Sequence, residues 1–101
     1  MESYDPIAHF IDRIVRDDRL RPIHISLSIA LCQAWALNEF RSPYRTSRRH
    51  LMAASHIRSK ATYHKVLMEL TKFGYVKYSP SFHPLKASEV EIINEEKGEL
   101  R

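Results

Sequence analysis

From Ile7 onward, apolar side chains return at three- and four-residue intervals: Ile7, Phe10, Ile11, Ile14 and Val15. That spacing places them on one side of a helix and predicts an amphipathic helix over residues 5–18. Asp5 followed by Pro6 suits its start, since proline costs nothing where the first backbone N–H has no helical partner. The charged run "RDDRLRP" ends the pattern, and Pro22 separates it from the next segment.

That segment, "HISLSIALCQAWALNEF", has no charged residue from Ile25 through Asn38, and its apolar residues fall on nearly every side of a helix. A helix of that kind must be covered on more than one face, so residues 24–41 are expected to form the central helix. Trp35 belongs to the core in this reading, and Cys32 acts as a small buried apolar residue. "RSPYRTS" is expected to be a loop. Ser47 can cap a short helix, "RRHLMAAS", anchored by Leu51 and Met52. "SHI" then turns the chain, with Ile57 filling the gap between helices. Ser59 caps a further helix that reaches Phe73 and stops at Gly74 through a left-handed glycine. A short helix, a tight turn and a second helix over residues 47–73 describe a helix-turn-helix.

At 100° per residue, Tyr63, Val66, Leu67, Leu70 and Phe73 cluster on the inner side of that second helix. Ala61, His64, Lys65, Met68 and Lys72 lie opposite, with Lys60 and Thr62 on the flanks. Beyond Gly74, "YVKY" and "SEVEII" alternate as strands do. The intervening "SPSFHPLKA" makes residues 75–93 a β-hairpin wing, with Lys77 and Lys86 placed to meet phosphates. "NEEKGELR", residues 94–101, is polar and expected to be a flexible tail. The predicted fold is mainly α with a small β-hairpin (α+β), a winged helix-turn-helix with an extra N-terminal helix, in one domain of 101 residues.

Charge changes this picture more than composition does. The net +4 is unevenly spread: residues 1–40 carry four basic and six acidic side chains, and residues 87–101 carry two and five. Residues 41–86 carry ten basic side chains against Glu69 alone, a local +9. A field concentrated in this way attracts polyanions, because neutralised phosphates release their counterions. On the helix from Ser59, the outward Lys60, Ala61, Thr62, His64 and Lys65 are of types that reach base edges, and Ala61 permits close approach. Arg45, Arg48, Arg49, Arg58, Lys77 and Lys86 are the candidates for phosphate contacts that fix register.

The stretches "RPIHISLSIALCQAWALNEFRSP" and "SKATYHKVLMELTKFGYVKYSPSFHPLKAS" resemble a family of small winged-helix proteins abundant in Bacteroidetes and their mobile elements. The resemblance covers residues 21–93, and "SKATYHKVLMEL" and "GYVKYSPSFHPLK" are its specific parts. It implies a winged helix-turn-helix of the broad class used by MarR- and GntR-like regulators, with residues 59–73 as recognition helix and 75–93 as wing. It implies transcriptional regulation or an accessory role, in excision or replication, on an integrative element. One departure is Arg49 and His50, where the resemblance leads one to expect an acidic residue early in the helix. This removes a capping box and adds positive charge.

Other chemistry finds less support. Of six histidines, His9, His24, His50, His56, His64 and His83, no two show metal-ligand spacing such as His-x3-His, and a single cysteine argues against a structural zinc site. Asp17 and Asp18 are adjacent, so on a helix they diverge. No nucleophile elbow, phosphate loop or glycine-rich fingerprint occurs. The expectation is therefore a protein with no enzyme activity, no cofactor and no metal. It is expected to be cytoplasmic, because one cysteine forms no internal disulfide, "MESYDPIAHF" does not read as a secretory signal, and no run of apolar residues spans a membrane.

The expected function is sequence-specific binding of double-stranded DNA. The alternatives are a protein-protein docking module, which exposed Met68 favours, and an accessory factor of a mobile element. Single-stranded nucleic acid is disfavoured because Tyr63 and Phe73 face inward. A homodimer through helices 5–18 and 24–41 would double the DNA surface; the competing reading has these helices pack only on each other within one chain.

Overall fold

The computed structural model describes residues 5–80 and 87–94. Within them the chain runs through α1 (Pro6–Val15), α2 (Pro22–Leu37), β1 (Tyr44–Thr46), α3 (Arg48–Ser55), α4 (Lys60–Lys72), β2 (Val76–Ser79) and β3 (Ser88–Ile92). The result is a small α+β domain of four helices and one antiparallel sheet, in the order β1-β3-β2. No helix among the described residues is long and apolar enough to cross a membrane.

The helix starts arise from local chemistry. The Asp5 carboxylate accepts hydrogen bonds from the backbone N–H groups of Ile7 and Ala8, at 3.1 and 3.2 Å, and Pro6 occupies the first turn of α1. The apolar side of α1 buries Phe10 and Ile14. The helix stops at Val15 instead of running to residue 18, because Asp17 leaves the helical path. There Asp17 accepts a hydrogen bond from the Tyr75 hydroxyl at 2.6 Å and pairs with Arg19, also at 2.6 Å.

Pro22 is the first residue of α2, not a break before it, and the first turn is tied by the Arg21 N–H donating to His24 Nδ1 at 3.0 Å. α2 ends at Leu37, short of the expected residue 41. Glu39 and Phe40 then take left-handed conformations with φ of 58° and 61°, and the Phe40 ring packs edge-on against Trp35 at 5.4 Å. Leu27, Leu31, Cys32, Ala34 and Trp35 are buried, so α2 is the core helix, although Ile29, Leu37 and Phe40 remain exposed.

The stretch "RSPYRTS" is not a loop throughout. Tyr44–Thr46 is a strand whose residues face Val90, Glu89 and Ser88 of β3. Tyr44 and Thr46 are buried and Arg45 points out, and the Tyr44 hydroxyl donates to the Leu31 carbonyl at 2.8 Å. Three residues hold too little alternation to announce a strand; pairing with β3 and the anchoring of Tyr44 create it.

α3 and α4 each begin on a serine that accepts a backbone N–H: Ser47 from His50 at 3.0 Å and Ser59 from Thr62 at 3.1 Å. The Ser47 cap is thus present without an acidic partner. α3 ends on His56 at φ 63°, and α4 is followed by Gly74 at φ 88°. An added Cβ at Gly74 would meet nothing within 4 Å, so glycine is required there by backbone conformation and not by space. Ile57, in the link between α3 and α4, is buried in the core.

β2 pairs with β3 in the register Val76↔Ile92 to Ser79↔Glu89. Val76, Val90 and Ile92 face the helices, joining Leu51, Tyr63, Val66, Leu67 and Leu70 in one core. α1 closes the far end: Arg13 donates to the carbonyl of Ile93, and the Asn94 side chain donates to the Pro6 carbonyl at 3.1 Å. Asn94 is therefore fixed and not part of a tail. Residues 95–101 of the expected tail, and residues 81–86 of the expected wing with Phe82, His83 and Lys86, lie outside the described residues.

Candidate nucleic-acid interface

α3 and the N-terminal end of α4 meet at the His56–Ser59 link and enclose a cleft of about 670 Å³. It is lined by the cationic Arg48, Arg49, Arg58 and Lys60, by His56, and by the apolar Met52, Ala53 and Ile57. The fold produces this grouping in three steps. The Ser47 cap sets Arg48 and Arg49 in the first turn of α3. The left-handed His56 then reverses the chain within one residue, its N–H donating to Ala53 and that of Ile57 to Met52. Finally, buried Ile57 pins the link so that Arg58 and Lys60 come back beside Arg48 and Arg49.

All four cationic residues are exposed. Among the described residues none of them enters an ion pair; the pairs there involve other residues. Uncompensated like charges repel one another, and an arriving polyanion would relieve that repulsion.

α4 continues this surface. Ala61, His64, Lys65, Met68 and Lys72 are exposed, and Met68 keeps 58% of its surface in solvent. Tyr63, Val66, Leu67 and Leu70 are buried on the opposite side. Thr62 is half-buried, so it lies at the margin of the outward face. His64 rests its ring edge-on to Tyr63, with centroids 5.3 Å apart.

The one acidic residue of α4, Glu69, is withdrawn from this face by a 2.7 Å contact with the ring of His24. Because His24 Nδ1 already accepts from Arg21, the remaining proton sits on Nε2 and is donated to the Glu69 carboxylate. One buried histidine thereby starts α2 and holds α4 against it.

The other candidate phosphate contacts are scattered. Arg45 stands on β1, 3.9 Å from Glu89, and lines a separate hollow with Leu37, Asn38, Thr46 and His50. Lys77 is exposed on β2 opposite Glu91. Lys86 lies outside the described residues. The structure therefore brings together Arg48, Arg49, Arg58 and Lys60, extends them with Ala61, His64 and Lys65, and leaves Arg45 and Lys77 apart.

His56 and Met52 complete the cleft, and neither stands out as a site residue in the sequence. For His56 the signal is weak: a non-glycine residue ending a helix shows its left-handed conformation only once the two helices are docked.

The reactive side chains Cys32, Tyr44 and Tyr63 are buried in the core. Burial pushes the Cys32 thiol up to about 12, so it stays protonated. Tyr44 and Tyr63 are likewise raised above the ordinary tyrosine range, chiefly by burial. Among the described residues no three of His, Cys, Asp and Glu come together as a metal site. No family model, curated protein or solved structure matches this chain.

Proposed function

We propose that this chain is a winged helix-turn-helix that binds duplex DNA as a transcriptional regulator or as an accessory factor of a mobile element. In this reading α4 enters the major groove, and β2 and β3 form the wing on the phosphate backbone. The observation that carries it is the cleft at the N-terminal end of α4 where Arg48, Arg49, Arg58 and Lys60 gather with no ion-pair partner among the described residues. Helix N-termini are where backbone phosphates are held, and the outward side chains beyond them are those that would meet base edges.

The order of elements adds support. A strand precedes the two helices, a pair of strands comes after them, and the first strand joins the sheet beside the last. That layout lets α3 and α4 project from the sheet with their outer faces free.

The test is fluorescence anisotropy with a mixed-sequence duplex titrated across salt, comparing wild type with Lys60→Ala/Lys65→Ala. Salt-sensitive binding weakened by the double substitution is expected. A folded protein that binds no duplex at low salt would replace this reading with a docking module presenting the Met68 face. Self-association is the second part of the proposal: α1 and α2 pack on each other, yet Val15, Ile29, Leu37 and Phe40 stay exposed on them or at their ends. Sedimentation showing a monomer at micromolar concentration would remove the dimer.

A further inference from the structure

We infer that α4 reads keto bases, so that the strand it faces in the major groove is rich in guanine and thymine. This inference rests on the DNA-binding reading above and adds to it the base chemistry of the site.

α4 offers a groove only a narrow set of groups. Its exposed outward groups are the ammonium donors Lys60, Lys65 and Lys72, the imidazole of His64 and the apolar Ala61 and Met68. The sequence of α4, "KATYHKVLMELTK", contains no asparagine and no glutamine. Its acid, Glu69, is held by the His24 ring. The hydroxyl of Thr71 is spent on the Leu67 carbonyl at 2.9 Å, and Thr62 is half-buried.

Each base pair presents a different demand. Adenine shows a donor beside an acceptor and is met by the side-chain amide of Asn or Gln. Cytosine shows a donor and is met by a carboxylate. Guanine shows the acceptors N7 and O6, and thymine shows the acceptor O4 beside a methyl group. Lysine donors answer guanine and the thymine oxygen. Ala61 and Met68 answer the thymine methyl. His64 can donate to guanine N7 or O6. The face thus has groups for both keto bases and lacks the amide and the free carboxylate that would favour adenine and cytosine.

Spacing sets the length of the run. Ala61 and Met68 lie seven residues apart, about 10 Å along the helix at ~1.5 Å per residue. With base pairs about 3.4 Å apart along one strand, that is roughly three steps.

The experiment is selection of bound duplexes from a random pool with the full chain. Guanine in the recovered site is then replaced by 7-deazaguanine, which lacks N7, and thymine by uracil, which lacks the methyl group. We expect a run of about three to four keto bases on one strand. Each replacement is expected to weaken wild-type binding by about 5-fold or more, the lower range for removal of one specific base contact. His64→Ala should reduce sensitivity to 7-deazaguanine, and Met68→Ala should reduce sensitivity to uracil; both residues are exposed, so neither change disturbs the core.

Salt-sensitive duplex binding indifferent to both replacements, or a recovered site with no run of keto bases on either strand, would overturn the inference while leaving DNA binding in place. No binding to any duplex would overturn both.

Discussion

At the C-terminal end of α4 every nearby arginine is occupied. Arg13 donates to the Ile93 carbonyl and lies 4.6 Å from the Tyr75 ring centroid. Arg16 holds Asp12 at 2.9 Å, and Arg19 holds Asp17 while covering the face of Phe73 at 4.2 Å. At the N-terminal end, about 20 Å away for a helix of 13 residues, Arg48, Arg49, Arg58 and Lys60 crowd one cleft with no acidic partner among the described residues. The same kind of side chain is used in two ways. At one end it is engaged by a carbonyl, a carboxylate or an aromatic face; at the other it has no acidic partner among the described residues. A surface that repels itself persists only where other contacts hold the backbone, and here buried Ile57, Leu51 and Tyr63 do so.

The strongest way to break this comparison is to remove charge from each end in turn. Arg49→Ala/Arg58→Ala is expected to lower duplex affinity by about 10-fold or more at low salt. It should also flatten the slope of log affinity against log salt by about 0.9 for each phosphate no longer neutralised. Arg16→Ala/Arg19→Ala removes the same formal charge from the occupied end and should leave the slope unchanged. Anisotropy titrations of both double variants at several salt concentrations decide the matter; equal effects would mean that net charge alone drives binding.

The occupied end should show itself in stability and pH instead. Asp17 is held well below the ordinary carboxylate value of 3.8, first by its hydrogen bond to the Arg19 guanidinium and further by the Tyr75 hydroxyl. A depressed carboxylate contributes stability above its unfolded-state value and loses it as the pH falls below. Asp17→Asn is therefore expected to destabilise the protein at neutral pH by about 1 kcal/mol. That is below the usual range for a hydrogen bond to a charged group, because Arg19 faces solvent and its attraction is screened. The gap between variant and wild type should narrow as the pH drops below about 4. Urea titrations at pH 7 and pH 3 measure it, and a gap independent of pH would show that Asp17 contributes nothing through its charge.

How much of this was legible in the sequence depends on whether the cause was local. The caps at Asp5, Ser47 and Ser59 and the stop at Gly74 rest on contacts within a few residues. The inner face of α4 comes from a single period, and the +9 segment from counting. Three features could not be read because distant parts of the chain create them. β1 exists because β3, far later in the chain, pairs with it. The early end of α1 depends on the Tyr75 hydroxyl reaching Asp17. The pairing of Glu69 with His24 joins two helices across 45 residues of chain. The cleft itself is intermediate: its arginines were visible, but their convergence depended on the turn at His56.

That turn gives a smaller and sharper test. A residue with a Cβ is strained at φ 63°, whereas glycine is not. His56→Gly is expected to raise stability by about 0.5 kcal/mol, the relief of strain being partly offset by the greater freedom of glycine in the unfolded chain. Because His56 also forms part of the cleft wall, affinity measured on the same variant separates its two roles. Greater stability with unchanged affinity would assign it to the turn alone, and reduced stability would refute the strain.

The smallest effect is that of Tyr63→Phe, on the core side of α4. Three buried tyrosines are chemically alike but differently placed. The Tyr44 hydroxyl donates to the Leu31 carbonyl and that of Tyr75 to Asp17, whereas the Tyr63 hydroxyl finds no hydrogen-bond partner among the described residues. Removing a bonded hydroxyl forfeits the bond; removing a buried unbonded one relieves a desolvation penalty. Tyr44→Phe should therefore cost about 1 kcal/mol, while Tyr63→Phe should leave stability unchanged or raise it by a few tenths of a kcal/mol. Tyr63 lies directly beneath the outward face of α4, so Tyr63→Phe also asks whether the cationic end depends on polar support from the core. Thermal melts showing Tyr63→Phe as costly as Tyr44→Phe would reveal such support, and unchanged melting with unchanged duplex affinity would show that the cationic end is held by backbone and apolar packing alone.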